Sequence, residues 1–178
     1  MLNPQLIKAT PDDFEIINNH YYSIIENTPE QELYSRWIKD VYPTREIIYN
    51  YIKQDAMYIL VDNGAIAGSV AVTLCQGNDY HKINWNINVD DNQVAVIHLL
   101  GVNPRYIRQD IGSILIDKAV DIACDNKINV IRLDALASNL PAHRLYLKKG
   151  FVFCGSLNLY ADNTGYTDFY FFEYLIKR

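Results

Sequence analysis

The stretch Val94–Val102, VAVIHLLGV, is apolar on both of its alternating faces, which is the pattern of a central strand covered by a layer on each side. A proline-containing turn over Asn103–Asp110 follows it. Ile111, Ile114, Leu115, Ala119, Ile122 and Ala123 then recur at helical spacing, and Ile128–Ala135 returns to a strand pattern. Strand, helix and strand in this order predict a right-handed crossover between two parallel strands. Everything else in the chain has to pack around that unit.

Upstream, Leu6–Ala9 reads as a short strand. Thr10-Pro11-Asp12-Asp13 places an N-cap, a proline at the first helical position and acids in the first turn of a helix running toward Asn27. Thr28–Asp40 reads as partly helical, and Thr44 starts a helix to about Gln54 with Ile47, Ile48, Tyr51 and Ile52 on one face. Ala56–Val61 and Ala65–Leu74 are β-favouring runs joined by Asp62-Asn63-Gly64, so they predict an antiparallel hairpin. In the polar segment Gln76–Gln93, Ile83, Trp85, Ile87 and Val89 alternate, which fits either an edge strand or a lid. Downstream, Leu140–Lys149 reads as a helix stopped by Gly150, Phe151–Leu159 as a sixth strand and Asp168–Ile176 as an aromatic last strand. That last strand, over Phe169–Tyr174, is a candidate dimer edge, so a homodimer is among the expected partners.

A chain of 178 residues without repeats or low-complexity tracts is expected to form one domain, residues 1–178. Its three cysteines, Cys75, Cys124 and Cys154, have no zinc spacing and read as reduced, mostly buried thiols. His20, His81 and His143 have no paired ligands and read as surface or packing residues, so no metal is expected. The start MLNPQLIKATPDDF has no apolar leader region, and no run of about 18 apolar residues occurs, so a cytoplasmic location without membrane contact is expected. A formal charge of −5 argues against a nucleic-acid surface.

The turn after Val102 joins a central strand to a helix N-terminus, where free backbone N–H groups and the positive end of the helix dipole converge. Such a place suits a pyrophosphate, and Arg105 and Arg108 add charge that can reach phosphate oxygens. The plain alternative is a βα turn with solvated arginines. A second segment, Asn139-Leu-Pro-Ala142-His-Arg-Leu-Tyr146-Leu-Lys-Lys-Gly150-Phe151, opens the last helix with an asparagine and ends on a Gly-Phe step.

Together with Val102-x-Pro104 and Gly112, that segment resembles the GNAT N-acetyltransferase family, over about residues 94–155 and in the family's order. The resemblance implies an α/β fold with a mixed central sheet of six or seven strands and about four helices. Its N-terminal strands would be antiparallel, and its parallel central pair would form a splay. It implies acetyl-CoA as co-substrate and a primary amine of a small molecule, amino acid or peptide as acceptor, with direct attack of the amine on the thioester. Cofactor contacts fall on the strand backbone at Leu100, Gly101 and Val102, on the loop residues Arg108, Gln109, Asp110, Ile111, Gly112 and Ser113, and on Asn139. Two loop positions depart from the pattern. Ile107 replaces the usual Gln or Arg, and Asp110 replaces the middle glycine and brings a negative charge near the pyrophosphate. A binding or regulatory module with weakened catalysis is therefore the alternative function.

Tyr146 matches the family tyrosine that protonates the departing thiolate; otherwise it is one of 14 tyrosines and a core residue. His98, four residues before Val102, is positioned to relay the amine proton, or else is a core histidine with a backbone partner. Asp134, near the end of the next strand, competes with it as base or orients it. Trp37, Tyr42, Tyr80, Trp85 and Tyr160 are candidates for the acceptor wall, although aromatic residues are more often core.

Overall fold

The computed structural model describes residues 4–176, so the ends of the expected 1–178 domain lie outside the described residues. Seven strands form one sheet: β1 (Gln5–Lys8), β2 (Met57–Asp62), β3 (Ala65–Thr73), β4 (Val94–Val102), β5 (Val130–Leu136), β6 (Val152–Ala161) and β7 (Gly165–Leu175). Their order across the sheet is β1-β2-β3-β4-β5-β7-β6. Only β4 and β5 pair in parallel, and the remaining neighbours are antiparallel. Four α-helices accompany them: α1 (Phe14–Asn27), α2 (Arg45–Lys53), α3 (Ile111–Asp125) and α4 (Leu140–Lys148). This is the mixed sheet with four helices and a central parallel pair that the resemblance implied.

Alternation along β4 and β5 divides the core. Ala95, Ile97, Ile131 and Leu133 pack with Leu115, Ile116 and Ala119 of α3, while Val94, Val96 and Val130 face the other way, toward Tyr80 and Ile83. A further cluster, with Ile17, Tyr21, Ile48 and Ile52 of α1 and α2, covers β2, β3 and Leu99. Full burial of each Val, Leu or Ile side chain among these contributes roughly 1.5–3 kcal/mol.

The β4–β5 ladder runs only from Val94↔Val130 to Ile97↔Leu133. Beyond Ile97, β4 carries a bulge. Ala71 pairs with His98 and Ser69 with Gly101, so one residue of β3 opposes two of β4, and Leu99 takes a φ of 47°. The bulge turns β4 away from β5 and opens the splay.

Several expectations need correction. Thr28–Asp40 contains no α-helix; Glu30, Arg36 and Asp40 adopt positive φ, which breaks helical hydrogen bonding, and the segment runs as successive turns. Gln76–Gln93 is not an edge strand. It has 3-10 turns at Asn78–Lys82 and Asp91–Gln93, and its apolar residues lie on the sheet face. The amides of Asn86 and Ile87 donate to the Glu173 carboxylate at 3.1 and 3.2 Å instead of to a strand. Arg132 holds the same carboxylate at 2.8 Å, donates to Gln76 Oε1 and the Ile87 carbonyl, and stacks on Trp85. The segment is thus a cover pinned to β5 and β7 by a buried ion pair. The strand containing Phe169–Tyr174 is not a dimer edge, because β7 lies between β5 and β6. Nor are the cysteines mostly buried: Cys75 and Cys124 are exposed and Cys154 is half-buried, all three unpaired.

Candidate active site

Two recesses meet at the splay. The upper one, about 220 Å³, is lined by His98, Leu99 and Leu100 of β4, Asp134 of β5, Tyr146 of α4, and Trp37 and Tyr42 from the α1–α2 connection. The lower one, about 660 Å³, runs past Val102, Arg108, Asp110, Ile111, Gly112 and Ser113 to Arg144 and Leu145. Ser35 and Asn139 line both. The two recesses therefore adjoin between the α3 N-terminus and the splay.

The lower recess is shaped for an anion. The first hydrogen bond of α3 runs from Ile114 N–H to Asp110 C=O at 3.0 Å, so the amides of Ile111, Gly112 and Ser113 precede it and have no intrahelical partner. Arg108 and Asp110 both adopt left-handed backbone, with φ of 67° and 61°; Asp110 thus keeps the conformation that a glycine would take there. Its side chain makes no capping bond to the helix backbone. It accepts from Ser113 Oγ at 3.2 Å and pairs with Lys148 at 3.5 Å, which offsets part of its charge. Gly112 brings α3 close to α4, since a Cβ there would meet Leu145 Cδ2 at 3.0 Å. These donors and this shape fit a pyrophosphate.

Not every expected residue reaches the recesses. Gln109 turns back to donate to the Arg105 carbonyl at 3.1 Å, and neither it nor Arg105 lines the groove. Gly101 lies against α1, where a Cβ would meet Ile24 Cδ1 at 2.7 Å. Conversely, Arg144 was not singled out in the sequence, although Pro141, Arg144 and Leu145 share one helical face, a spacing that marks them as co-facing. The wall from Thr28 to Ser35 was also missed. It is held by Gln31 Nε2 to the Trp37 carbonyl at 2.8 Å and by Ser138 Oγ to the Tyr34 carbonyl at 3.0 Å.

In the upper recess Tyr146 is buried against Phe151 and Phe172, and burial holds its phenol well above the ordinary value. Its hydroxyl has no hydrogen-bond partner among the described residues. Asn139 caps α4, its Oδ1 accepting from Ala142 N–H at 3.4 Å. His98 meets Thr73 Oγ1 through Nε2 at 3.2 Å and stacks on Tyr51, and burial pushes its pKa down to about 4, leaving a neutral imidazole at pH 7. It also lines a recess of about 410 Å³ on the far side, beside Thr73 and Gln76. Asp134 accepts from the Tyr80 hydroxyl at 2.6 Å, and burial raises its carboxyl above the usual range. No direct His98–Asp134 bond occurs. Of the other aromatic candidates, Tyr80 and Tyr160 line a separate recess beside Asp134, and Trp85 stacks on Tyr80 within the 76–93 cover. His143 is a packing residue, with Nε2 on the Leu136 carbonyl and its ring on Tyr170, and His20 is buried against Ser69. His81 is on the surface, paired with Asp91.

Among the described residues, no group of three or more His, Cys, Asp or Glu side chains is placed to hold a metal ion. Nor is any helix long and apolar enough to cross a membrane.

The sequence profile of the acetyltransferase (GNAT) family matches residues 17–151. An uncharacterized N-acetyltransferase of Methanocaldococcus jannaschii is 29% identical over 98 residues, 55% of this chain; the match spans only 39% of that relative's length. A GNAT-family acetyltransferase structure from Streptococcus agalactiae superposes with a TM-score of 0.76 at 16% identity, covering 98% of this chain and 96% of that one. A Salmonella typhimurium structure containing its cofactor acetyl-CoA has a TM-score of 0.70 at 14% identity, with 99% and 95% covered. At these identities the structural likenesses carry the fold alone.

Proposed function

The chain belongs to the acetyltransferase (GNAT) family, and from that premise we propose that it transfers an acetyl group from acetyl-CoA to a primary amine by direct attack. The observation that carries this reading is that the two recesses adjoin at Ser35 and Asn139, which sets an anion-shaped helix N-terminus next to the recess holding Tyr146 in the splay.

Ile111, Gly112 and Ser113 amides with Arg108 hold the pyrophosphate. Arg144, across the groove on α4, supplies a second cation that Ile107 cannot. The backbone of Leu100 and Val102 on β4, released from β5 and lining the recesses, would hold the pantetheine, and Asn139 would add a side-chain contact. Bound acetyl-CoA supplies an activated acetyl group, whose C–S bond breaks as the acceptor nitrogen forms the new C–N bond. Tyr146 hands its phenolic proton to the leaving sulfur; burial keeps that proton in place at neutral pH. His98 takes the proton of the attacking amine. It stands between the reacting cleft and the recess beside Thr73, so the proton has a way to solvent. Asp134 is the competing acceptor of that proton.

We place the protein in the cytoplasm, as one domain acting on a soluble small-molecule or peptide amine. The test is thermal melting with and without millimolar acetyl-CoA, followed by release of free thiol against a panel of amines. Stabilisation of about 2.7 kcal/mol is expected when the ligand is at 100 times its Kd. No stabilisation at millimolar acetyl-CoA would overturn the reading and favour a module that does not use the cofactor.

A further inference from the structure

Asp134 lines a second opening besides the splay. On the far side of the carboxyl lies a recess of about 310 Å³ bounded by Asp79, Tyr80, Leu159, Tyr160, Phe169 and Phe171. Phe169 and Asp134 also line the upper recess, so the two openings meet at this one carboxylate. The walls around it are aromatic, and no Lys or Arg is among the residues lining either opening.

The neighbouring cations are accounted for. Lys82 is held by Asp79 at 2.6 Å. Arg132 is buried with Glu173, Gln76 and the Ile87 carbonyl. Arg36 stands between Ser35 and Trp37 in the chain but does not line the cleft.

We propose that the acceptor is a cationic amine with no carboxylate next to its amino group, held with its nitrogen at Asp134 and its body against the surrounding aromatic rings. An ammonium entering this cleft meets a carboxyl and ring faces, both of which attract it. A free α-amino acid brings a carboxylate to the same place, where it loses water, faces Asp134 and finds no cationic partner. The acceptors selected are thus amines on neutral or cationic bodies. This rests on the cleft being the acetyl-transfer site.

The test uses the full chain with acetyl-CoA and three matched acceptors: phenethylamine, phenylalanine and phenylalanine amide. Expected is a kcat/KM on the order of 100-fold higher for phenethylamine and for the amide than for phenylalanine, since a site that leaves a buried charge unpaired discriminates at least that strongly. Asp134→Asn is expected to lower phenethylamine turnover while stabilisation by acetyl-CoA persists. Equal use of phenylalanine and phenethylamine overturns the proposal, and loss of phenylalanine turnover on Arg36→Ala would identify the cation that the amino acid found. Stabilisation by acetyl-CoA without acetylation of any of the three overturns the acceptor class and leaves the cofactor reading standing. Absence of that stabilisation is instead the failure of the function beneath it.

Discussion

The Tyr21 hydroxyl donates to the Leu99 carbonyl across 2.8 Å. Tyr21 is wholly buried on α1, and Leu99 is the left-handed residue of the β4 bulge, so a helix on one face of the sheet holds the bend that opens the splay. Removing the donor in Tyr21→Phe leaves a buried carbonyl unpaired at a strained position. A loss of about 1–3 kcal/mol in urea unfolding is expected, with a raised KM for acetyl-CoA. An unchanged midpoint would mean that the bulge is held by the β3 ladder alone.

Tyr146 is the proton donor to the leaving thiolate in the proposed reaction. Tyr146→Phe should lower kcat by roughly 100-fold or more, the usual worth of a positioned acid, while the Kd of acetyl-CoA stays nearly constant. Single-turnover kinetics and calorimetric titration separate the two quantities. Undiminished kcat across pH would show that the thiolate departs without it.

Asp110→Gly removes a carboxylate from beside three free amides and puts the residue best suited to φ 61° in its place. At ~4 Å, two like charges repel by about 1 kcal/mol in water and more when partly buried, so acetyl-CoA should bind about fivefold or more tighter. Weaker binding would mean that the contacts of Asp110 with Ser113 and Lys148 shape the turn.

The Arg132–Glu173 pair pins the 76–93 cover. Arg132→Met is expected to cost about 3–5 kcal/mol, because it strands a buried carboxylate. The double variant with Glu173→Met should recover much of that stability, while the amides of Asn86 and Ile87 lose their shared acceptor and exchange faster with solvent. Equal loss in the single and double variants would show that the cover, and not the charge, carries the effect.

His20 and His98 are both held down to about 4 by burial, against about 6.5 in an unfolded chain. Between those values the unfolded chain takes up protons that the folded chain refuses. Stability is therefore whole above pH 6.5 and falls as the pH drops toward 4, by up to about 3 kcal/mol for His20. Asp134, raised by burial, acts in the opposite sense at the acid end of this window. His20→Gln should flatten part of the slope in melting temperature against pH, and an unchanged slope would count against the assignment.

Much of this protein was determined by local pattern. The two-faced apolar run of β4, the helical spacing of α3, the Asn63-Gly64 turn and the Thr44 cap, whose Oγ1 accepts from Ile47 N–H at 3.1 Å, are all short-range effects, and each falls where the sequence put it. The Asn139–Phe151 segment marked α4 by its capping asparagine and its Gly150 stop, and its resemblance to the family motif singled out Tyr146. Tertiary structure decided what depends on partners distant in the chain. Thr28–Asp40 became turns because its backbone is held by Ser138 and Asn163, more than a hundred residues away. The alternating residues of 76–93 form no strand because Glu173 captures the amides a strand would need. Arg144 reaches the groove only because Gly112 lets α4 come close to α3. Periodicity reports which face of an element is apolar; it does not report which distant side chain satisfies a polar group, and that choice places the cover, the wall and Asp134 around the cleft.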